Sequence, residues 1–117
     1  MNKIILTGNV GHSAQSRGTD NGGMVTFTLA VNERRRNEQG EWENVRTDWF
    51  DCVLYTSKKE SSDKIAQVLP SGTRIAVTGR MYSREYEKDG QKRTGWSVRV
   101  DEFEILQMKE TKSDLPS

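Results

Sequence analysis

The sequence predicts an all-β fold: a five-stranded β-barrel with one helix between strands 3 and 4. Three observations carry that expectation. Five segments alternate apolar and polar residues with the period of two of a half-buried strand. A single segment, between the third and fourth of these, has helical spacing followed by a helix stop. The 117 residues make one domain, since a second core would need roughly 50 more.

Lys3–Val10 reads as the first strand, with Ile4, Leu6 and Val10 on one face and Ile5 on the other. Both faces carry apolar side chains, so a core and a second subunit are the expected covers. Gly11–Gly23 is rich in Gly, Ser, Asn and Asp and reads as a loop, ending in the turn signal Asp20-Asn21-Gly22-Gly23. In Met24–Val31 the residues Val25, Phe27, Leu29 and Val31 face a core, opposite Thr26, Thr28 and Ala30. Glu33–Asn44 is polar, holds Arg34-Arg35-Arg36 and Gly40, and reads as a long hairpin arm. An isolated arginine triplet is commonly a solvated run. Trp42, between Glu41 and Glu43, has no apolar sequence neighbours with which to share a core.

Thr47–Tyr55 sets Phe50, Cys52 and Leu54 on one face and Thr47, Trp49, Asp51, Val53 and Tyr55 on the other. Two readings stand. Either the first set is core and Trp49 and Tyr55 are exposed on a sheet face, or both faces are packed and Trp49 is core. Ser57–Leu69 is the helix, with Ser57 and Glu60 at capping-box spacing, the stripe Ile65, Val68, Leu69, and the stop Pro70-Ser71-Gly72. Strand Arg74–Tyr86 follows, then the turn Lys88-Asp89-Gly90, then strand Thr94–Leu106. Trp96, Val98 and Val100 share a face of that last strand, which assigns Trp96 to the core. Lys109–Ser117 is polar and is expected to be disordered, so the domain is 1–107 and a short tail is 108–117.

The fourth strand opposes Ile75 and Val77 with Arg74, Arg80, Tyr82, Arg84 and Tyr86. Alternating arginine and tyrosine suit a surface that stacks flat aromatic groups and neutralises phosphates. The competing reading is a solvated sheet face with cross-strand ion pairs. Overall charge does not decide, because 18 basic against 17 acidic residues leave +1. A dedicated duplex binder is usually strongly basic, whereas a local basic groove is compatible with near-neutrality because screening favours nearby charges.

Cys52 is the only cysteine and His12 the only histidine, which excludes an intrachain disulfide and a Cys/His metal cluster. No Ser/His/Asp arrangement or phosphate-binding glycine loop is present, so neither an enzyme nor a cofactor is expected. Cys52 alternates with Phe50 and Leu54 and reads as a buried thiol. Met1–Leu6 turns polar at Thr7-Gly8-Asn9, unlike a signal peptide, and the apolar runs are too short to span a membrane. A cytoplasmic, nucleoid-associated location is expected.

Three strands, one helix and two strands in that order is the connectivity of an OB-fold, which binds oligonucleotides or oligosaccharides across its second and third strands. From Met1 to about Met108 the sequence also resembles bacterial single-stranded DNA-binding proteins. The matching stretches are Met1–Gly11, Asn21-Gly22-Gly23, Phe27-Thr28-Leu29-Ala30, Thr47-Asp48-Trp49, Gly72–Arg80 and Asp89-Gly90-Gln91-Lys92-Arg93. The resemblance implies sequence-independent binding and protection of single-stranded DNA in replication, recombination and repair. Bases would stack on Trp49, Tyr55 and Tyr86. Phosphates would be tracked by Arg34, Arg35, Arg36, Arg80 and Arg84, with Lys3, Arg74, Lys92 and Arg93 in secondary roles.

The resemblance further implies a homotetramer assembled by pairing of first strands and sheet-to-sheet packing. Three departures stand out. A family tryptophan at the start of the hairpin arm is matched by Arg35, a cation that can still lie flat on a base. Phe50 follows Trp49 where the family commonly has a histidine near a subunit contact. Family members also end in an acidic tip, Asp-Ile-Pro-Phe or Asp-Leu-Pro-Phe, that recruits replication and repair proteins; here Ser113-Asp114-Leu115-Pro116-Ser117 has one acid and no terminal phenylalanine. The alternative is a primosome-type replication adaptor of the same fold, which binds partner proteins as well as single strands.

Overall fold

The structure, a computed structural model, describes residues 2–108. Seven elements follow in order: β1 (Ile4–Val10), β2 (Gln15–Thr19), β3 (Gly22–Arg36), β4 (Trp42–Thr56), α1 (Lys59–Gln67), β5 (Arg74–Lys88) and β6 (Gln91–Gln107). Strand β1 pairs antiparallel with β5 through Ile4↔Gly79 to Asn9↔Arg74, and with β3 through Asn9↔Ala30 and Val10↔Leu29. With β5–β6 and β3–β4 antiparallel and β4–β6 parallel, the pairing runs β1-β5-β6-β4-β3-β1 and closes a five-stranded ring. Closure removes the sheet edges that a flat array would expose. Helix α1 bridges the third and fourth barrel strands, β4 and β5, as the OB-fold connectivity requires.

The Gly11–Gly23 segment is not wholly a loop. Gln15–Thr19 forms β2, which pairs with β3 from Gln15↔Thr26 to Thr19↔Gly22 and lies outside the ring as an edge strand. It has no apolar alternation because it buries no face; main-chain pairing and contact with α1 hold it. The Ser16 hydroxyl lies 2.8 Å from that of Ser62 and donates to Asp63 Oδ1 at 2.6 Å. That bond, then the Lys59 ammonium, hold the Asp63 carboxyl below the usual carboxylate range.

The helix start also differs from expectation. Lys58 occupies the N-cap without a side-chain cap, and Ser57 makes none; the Thr56 hydroxyl instead donates to the Lys58 carbonyl at 2.7 Å. The apolar stripe is narrower than its spacing implies. Leu69 is buried and Ile65 packs on the core, while Val68 is exposed. The space-filling contact is polar, with buried Ser62 seated over Gly23, where a Cβ would collide with the serine hydroxyl.

Val10, Val25, Phe27, Leu29, Cys52, Leu54, Leu69, Ile75, Val77, Val98 and Val100 form the core. Burial pushes the Cys52 thiol up to about 12, with the Asp51 charge adding to the effect, so it stays protonated at neutral pH and is a packing group. Leu29 is fully buried on the strand that meets both β1 and β4. Leu29→Ala is expected to cost about 2–5 kcal/mol of a total near 5–15 kcal/mol. An unfolding free energy from denaturant titration within about 1 kcal/mol of wild type would contradict that placement.

Two long hairpins project from the barrel, one from β3 and β4 and one from β5 and β6. The first carries a register shift between Glu33 and Arg34, where Val45 is the extra residue, and ends in a tip held by Asn37. Asn37 Oδ1 accepts from the main-chain amides of Gln39 at 3.0 Å and Glu41 at 2.9 Å. The second turns in two residues, Asp89 (φ 55°) and Gly90 (φ 77°), with Lys88 paired to Gln91. Positive φ at both positions matches the right-handed strand twist of a type I′ turn.

Trp96 is not core. Its face is the expected one, but it pairs with Ser83, two pairs beyond Met81↔Val98, where the hairpin has left the barrel. It is therefore 58% exposed. The tail, Lys109–Ser117, lies outside the described residues, and with it the acidic-tip expectation. Among the described residues no helix is long and apolar enough to cross a membrane.

Candidate nucleic-acid interface

Register places the outward side chains of β5, β6, β4 and β3 in rows across one face. Tyr82 pairs with Ser97, Ser97 with Asp51, and Asp51 with Thr28. The next row is Arg80, Arg99, Val53 and Thr26. Rows are about 6.6–6.8 Å apart and strands about 4.8 Å apart, the scale of successive bases and their sugars. Trp49 stands above these rows on β4 and Tyr55 below them.

Of the two readings of Trp49, the exposed one holds. Trp49 is 62% exposed and Tyr55 52%, while Cys52 and Leu54 are buried on the other face and Phe50 packs at the core's margin. The strand-three alternation therefore sorts one set to the core and the other to the surface. The Trp49 ring rests on the backbone of Gly11, where a Cβ would collide with it. Gly11 is kept at that position by its amide, which donates to the Thr28 carbonyl at 2.8 Å, and by the His12 amide, which donates to Thr28 Oγ1 at 2.9 Å. Tyr86, on the second hairpin, has its ring edge over Gly95, whose missing side chain leaves it room.

A groove of about 530 Å³ lies on this face, lined by His12, Thr26, Thr28, Asp51, Val53, Tyr55, Tyr82, Arg84 and Ser97. Its mixed apolar and polar lining and its two tyrosines suit a strand whose bases stack and whose backbone stays wet.

The arginines divide into two groups. Arg84 lines the groove and Arg80 shares its strand face, but each holds a carboxylate: Arg84 Nη2 lies 2.8 Å from Asp51 Oδ2 and Arg80 Nη2 3.5 Å from Asp101 Oδ1. The solvated-face reading thus had a share of the truth, since cross-strand ion pairs do occur here. Arg34, Arg35 and Arg36 stand apart, on the first hairpin. Arg34 lies beside Asn44 and Arg74 in a polar cleft shared with β1. Arg36 lies over the exposed ring of Trp42, 5.4 Å from its centroid. Alternation turns Arg35, opposite Glu43, to the other face of the hairpin.

Asp51 puts a negative charge in the middle of the face. A surface pair of this kind contributes at most about 1 kcal/mol to the fold, so Asp51→Asn is expected to fold normally. It releases Arg84 for phosphate and removes a repulsion, and oligo-dT affinity at low salt is expected to rise about fivefold. A fluorescence titration with unchanged or weaker affinity would place Arg84 and Asp51 off the strand's path.

Arg99 was missing from the sequence reading. Its guanidinium lies over Tyr55, 5.1 Å from the ring centroid. The alternation that assigned Val98 and Val100 inward points Arg99 outward, so the signal was present; the Tyr55 contact was not, because it crosses from β6 to β4.

A profile described as the single-strand binding protein family matches residues 1–106. The chain belongs to the single-strand binding protein family. It is 32% identical over 114 residues to a single-stranded DNA-binding protein of Streptococcus mutans, covering 96% of this chain and 66% of that one. To single-stranded DNA-binding protein 1 of Lactococcus lactis it is 33% identical over 119 residues, covering 100% of this chain and 75% of that one. The chain thus spans about two thirds of the length of the curated family relatives it matches. Among solved structures, the small single-stranded DNA-binding protein of Streptomyces coelicolor superimposes with TM-score 0.77 at 25% identity, over 88% of this chain and 92% of that one. A Plasmodium falciparum SSB in complex with ssDNA superimposes with TM-score 0.69 at 27% identity, over 93% and 96% of the two chains. The adaptor alternative gains no support from these family relatives.

Proposed function

We propose that the chain binds single-stranded DNA without strong sequence preference, by stacking bases on Trp49, Tyr55 and Tyr86 and neutralising phosphates with Arg34, Arg36, Arg80 and Arg84. The single observation that carries this reading is the outward face of β4 and β5, where exposed Trp49 and Tyr55 on β4 share one side with the alternating Arg80, Tyr82, Arg84 and Tyr86 of β5. Every base has a π-face, so stacking is tolerant of sequence. Duplex DNA keeps its base faces covered and binds poorly by this route. Family membership and the ssDNA complex of the Plasmodium relative support the same reading. Arg35, on the far side of the hairpin, serves a strand that wraps the arm rather than one that follows the groove.

Binding of this kind involves no chemistry on the DNA and belongs in the cytoplasm, where replication and repair expose single strands. Assembly as a homotetramer fits the exposed Ile5, an apolar side chain on the outer face of β1 that the isolated chain leaves uncovered. The test is a titration with oligo-dT of increasing length, followed by tryptophan fluorescence and light scattering, with a duplex of equal length as control. Quenching by oligo-dT and little response to the duplex is the expected result. No quenching at any length would overturn the reading.

A further inference from the structure

Tyr82 is an exposed aromatic on the binding face to which neither the family resemblance nor the groove reading assigns a base. It is 41% exposed and borders a second cleft of about 410 Å³ that Asn2, Val53, Tyr55, Arg80, Met81 and Arg99 also line. That volume falls within the range of about 300–1,000 Å³ found for small-ligand sites. The walls are two aromatic rings and two guanidinium groups, which is the chemistry of a nucleotide: a flat base and an anionic phosphate.

The register makes the fit specific. Tyr82 pairs with Ser97 and Arg80 with Arg99, so Tyr82 and Arg99 are diagonal neighbours on one face. Such neighbours lie about 7–8 Å apart, their Cβ atoms somewhat closer, within reach of long side chains. A flat ring needs about 3.5–4.0 Å to a partner on each side, so the diagonal holds one base. Ser97, between them, is small and 3% exposed and does not block the slot. Arg99 lies over the Tyr55 ring, and among the described residues it makes no ion pair, unlike Arg80 and Arg84. Arginine planes stack on bases as aromatic rings do.

We propose that this cleft is a nucleotide subsite in which one base of the bound strand stacks between the Tyr82 ring and the Arg99 guanidinium. The proposal rests on the single-stranded DNA reading above and deepens it. Tyr55 then carries Arg99 on one ring face, and the order across the slot is Tyr55, Arg99, base, Tyr82. The strand accordingly turns at Tyr55 from the groove toward Arg80, rather than continuing only outward to Tyr86.

Tyr82→Leu, Arg99→Ala and the double variant retain all three tryptophans, so oligo-dT binding is read by fluorescence in each. Tyr82→Leu keeps apolar bulk without an aromatic plane, and a thermal melt checks that each variant is folded. Each single variant is expected to weaken binding about fivefold or more, and the double variant no more than the worse single, because both residues hold the same base. Tyr82→Phe is expected to bind like wild type, and Arg99→Lys to bind like Arg99→Ala, since an ammonium has no plane. Wild-type affinity in Tyr82→Leu, or fully multiplicative losses in the double variant, would overturn the subsite while leaving single-stranded DNA binding in place. If the wild type itself shows no quenching, the underlying reading fails and the subsite with it.

Discussion

Trp49→Ala is expected to weaken oligo-dT binding about tenfold or more and to leave the barrel folded. The two halves of that expectation have different causes. Trp49 is 62% exposed and projects from β4 on the face opposite Cys52 and Leu54, so the core loses little when the ring is removed. Stacking of a base on an aromatic ring is worth about 1–3 kcal/mol by alanine substitution, and the indole offers the largest ring on this face. Its orientation is set by the bare backbone of Gly11 beneath it, so Gly11→Ala should tilt the ring and mimic part of the loss. Trp49→Phe keeps a plane and is expected to bind between the two. Anisotropy of a labelled oligo-dT measures all three, with a melt as the folding control. Wild-type affinity in Trp49→Ala would remove Trp49 from the interface.

Raising salt fourfold, from about 50 to about 200 mM, is expected to lower oligo-dT affinity by at most about fiftyfold. The estimate follows from counting cations on the strand's side. Five arginines were candidates, and alternation turns Arg35 away, which leaves Arg34, Arg36, Arg80 and Arg84. Four neutralised phosphates on a single strand give a slope of about −2.8 in log affinity against log salt. The Asp51 and Asp101 carboxylates already occupy Arg84 and Arg80, so the wild-type slope should fall short of that figure. Asp51→Asn should steepen it by up to about 0.7. A flat salt response would mean that stacking alone holds the strand and that the arginines are solvated.

Much of the site was legible because a strand's pleat is local. Alternation along Thr47–Tyr55 separated Cys52 and Leu54 from Trp49 and Tyr55, and the structure buries the first pair and exposes the second. The same alternation put Arg80, Tyr82, Arg84 and Tyr86 on one side of β5, and the order of elements implied the ring that β1 closes. The cap at Ser57 failed for a different reason. A capping-box spacing offers one partner for the first amides of a helix, and here the backbone path from β4 through Thr56 starts the helix after Lys58 instead.

Residue pattern decided which face each side chain takes, because that depends only on neighbours two positions away. Tertiary structure decided depth and company. Trp96 has the inward parity of Val98 yet stands in solvent, because only the pairing with β5 reveals where the hairpin leaves the barrel. Strand β2 exists through main-chain bonds to β3 that no side-chain period records. Arg84 with Asp51, and Arg99 with Tyr55, are partners separated by 33 and 44 positions and brought together by the parallel β4–β6 pairing that completes the ring. Those contacts determine which cations are free and which ring faces are open. Register, a property of several strands at once, therefore turns a list of aromatics and arginines into a groove.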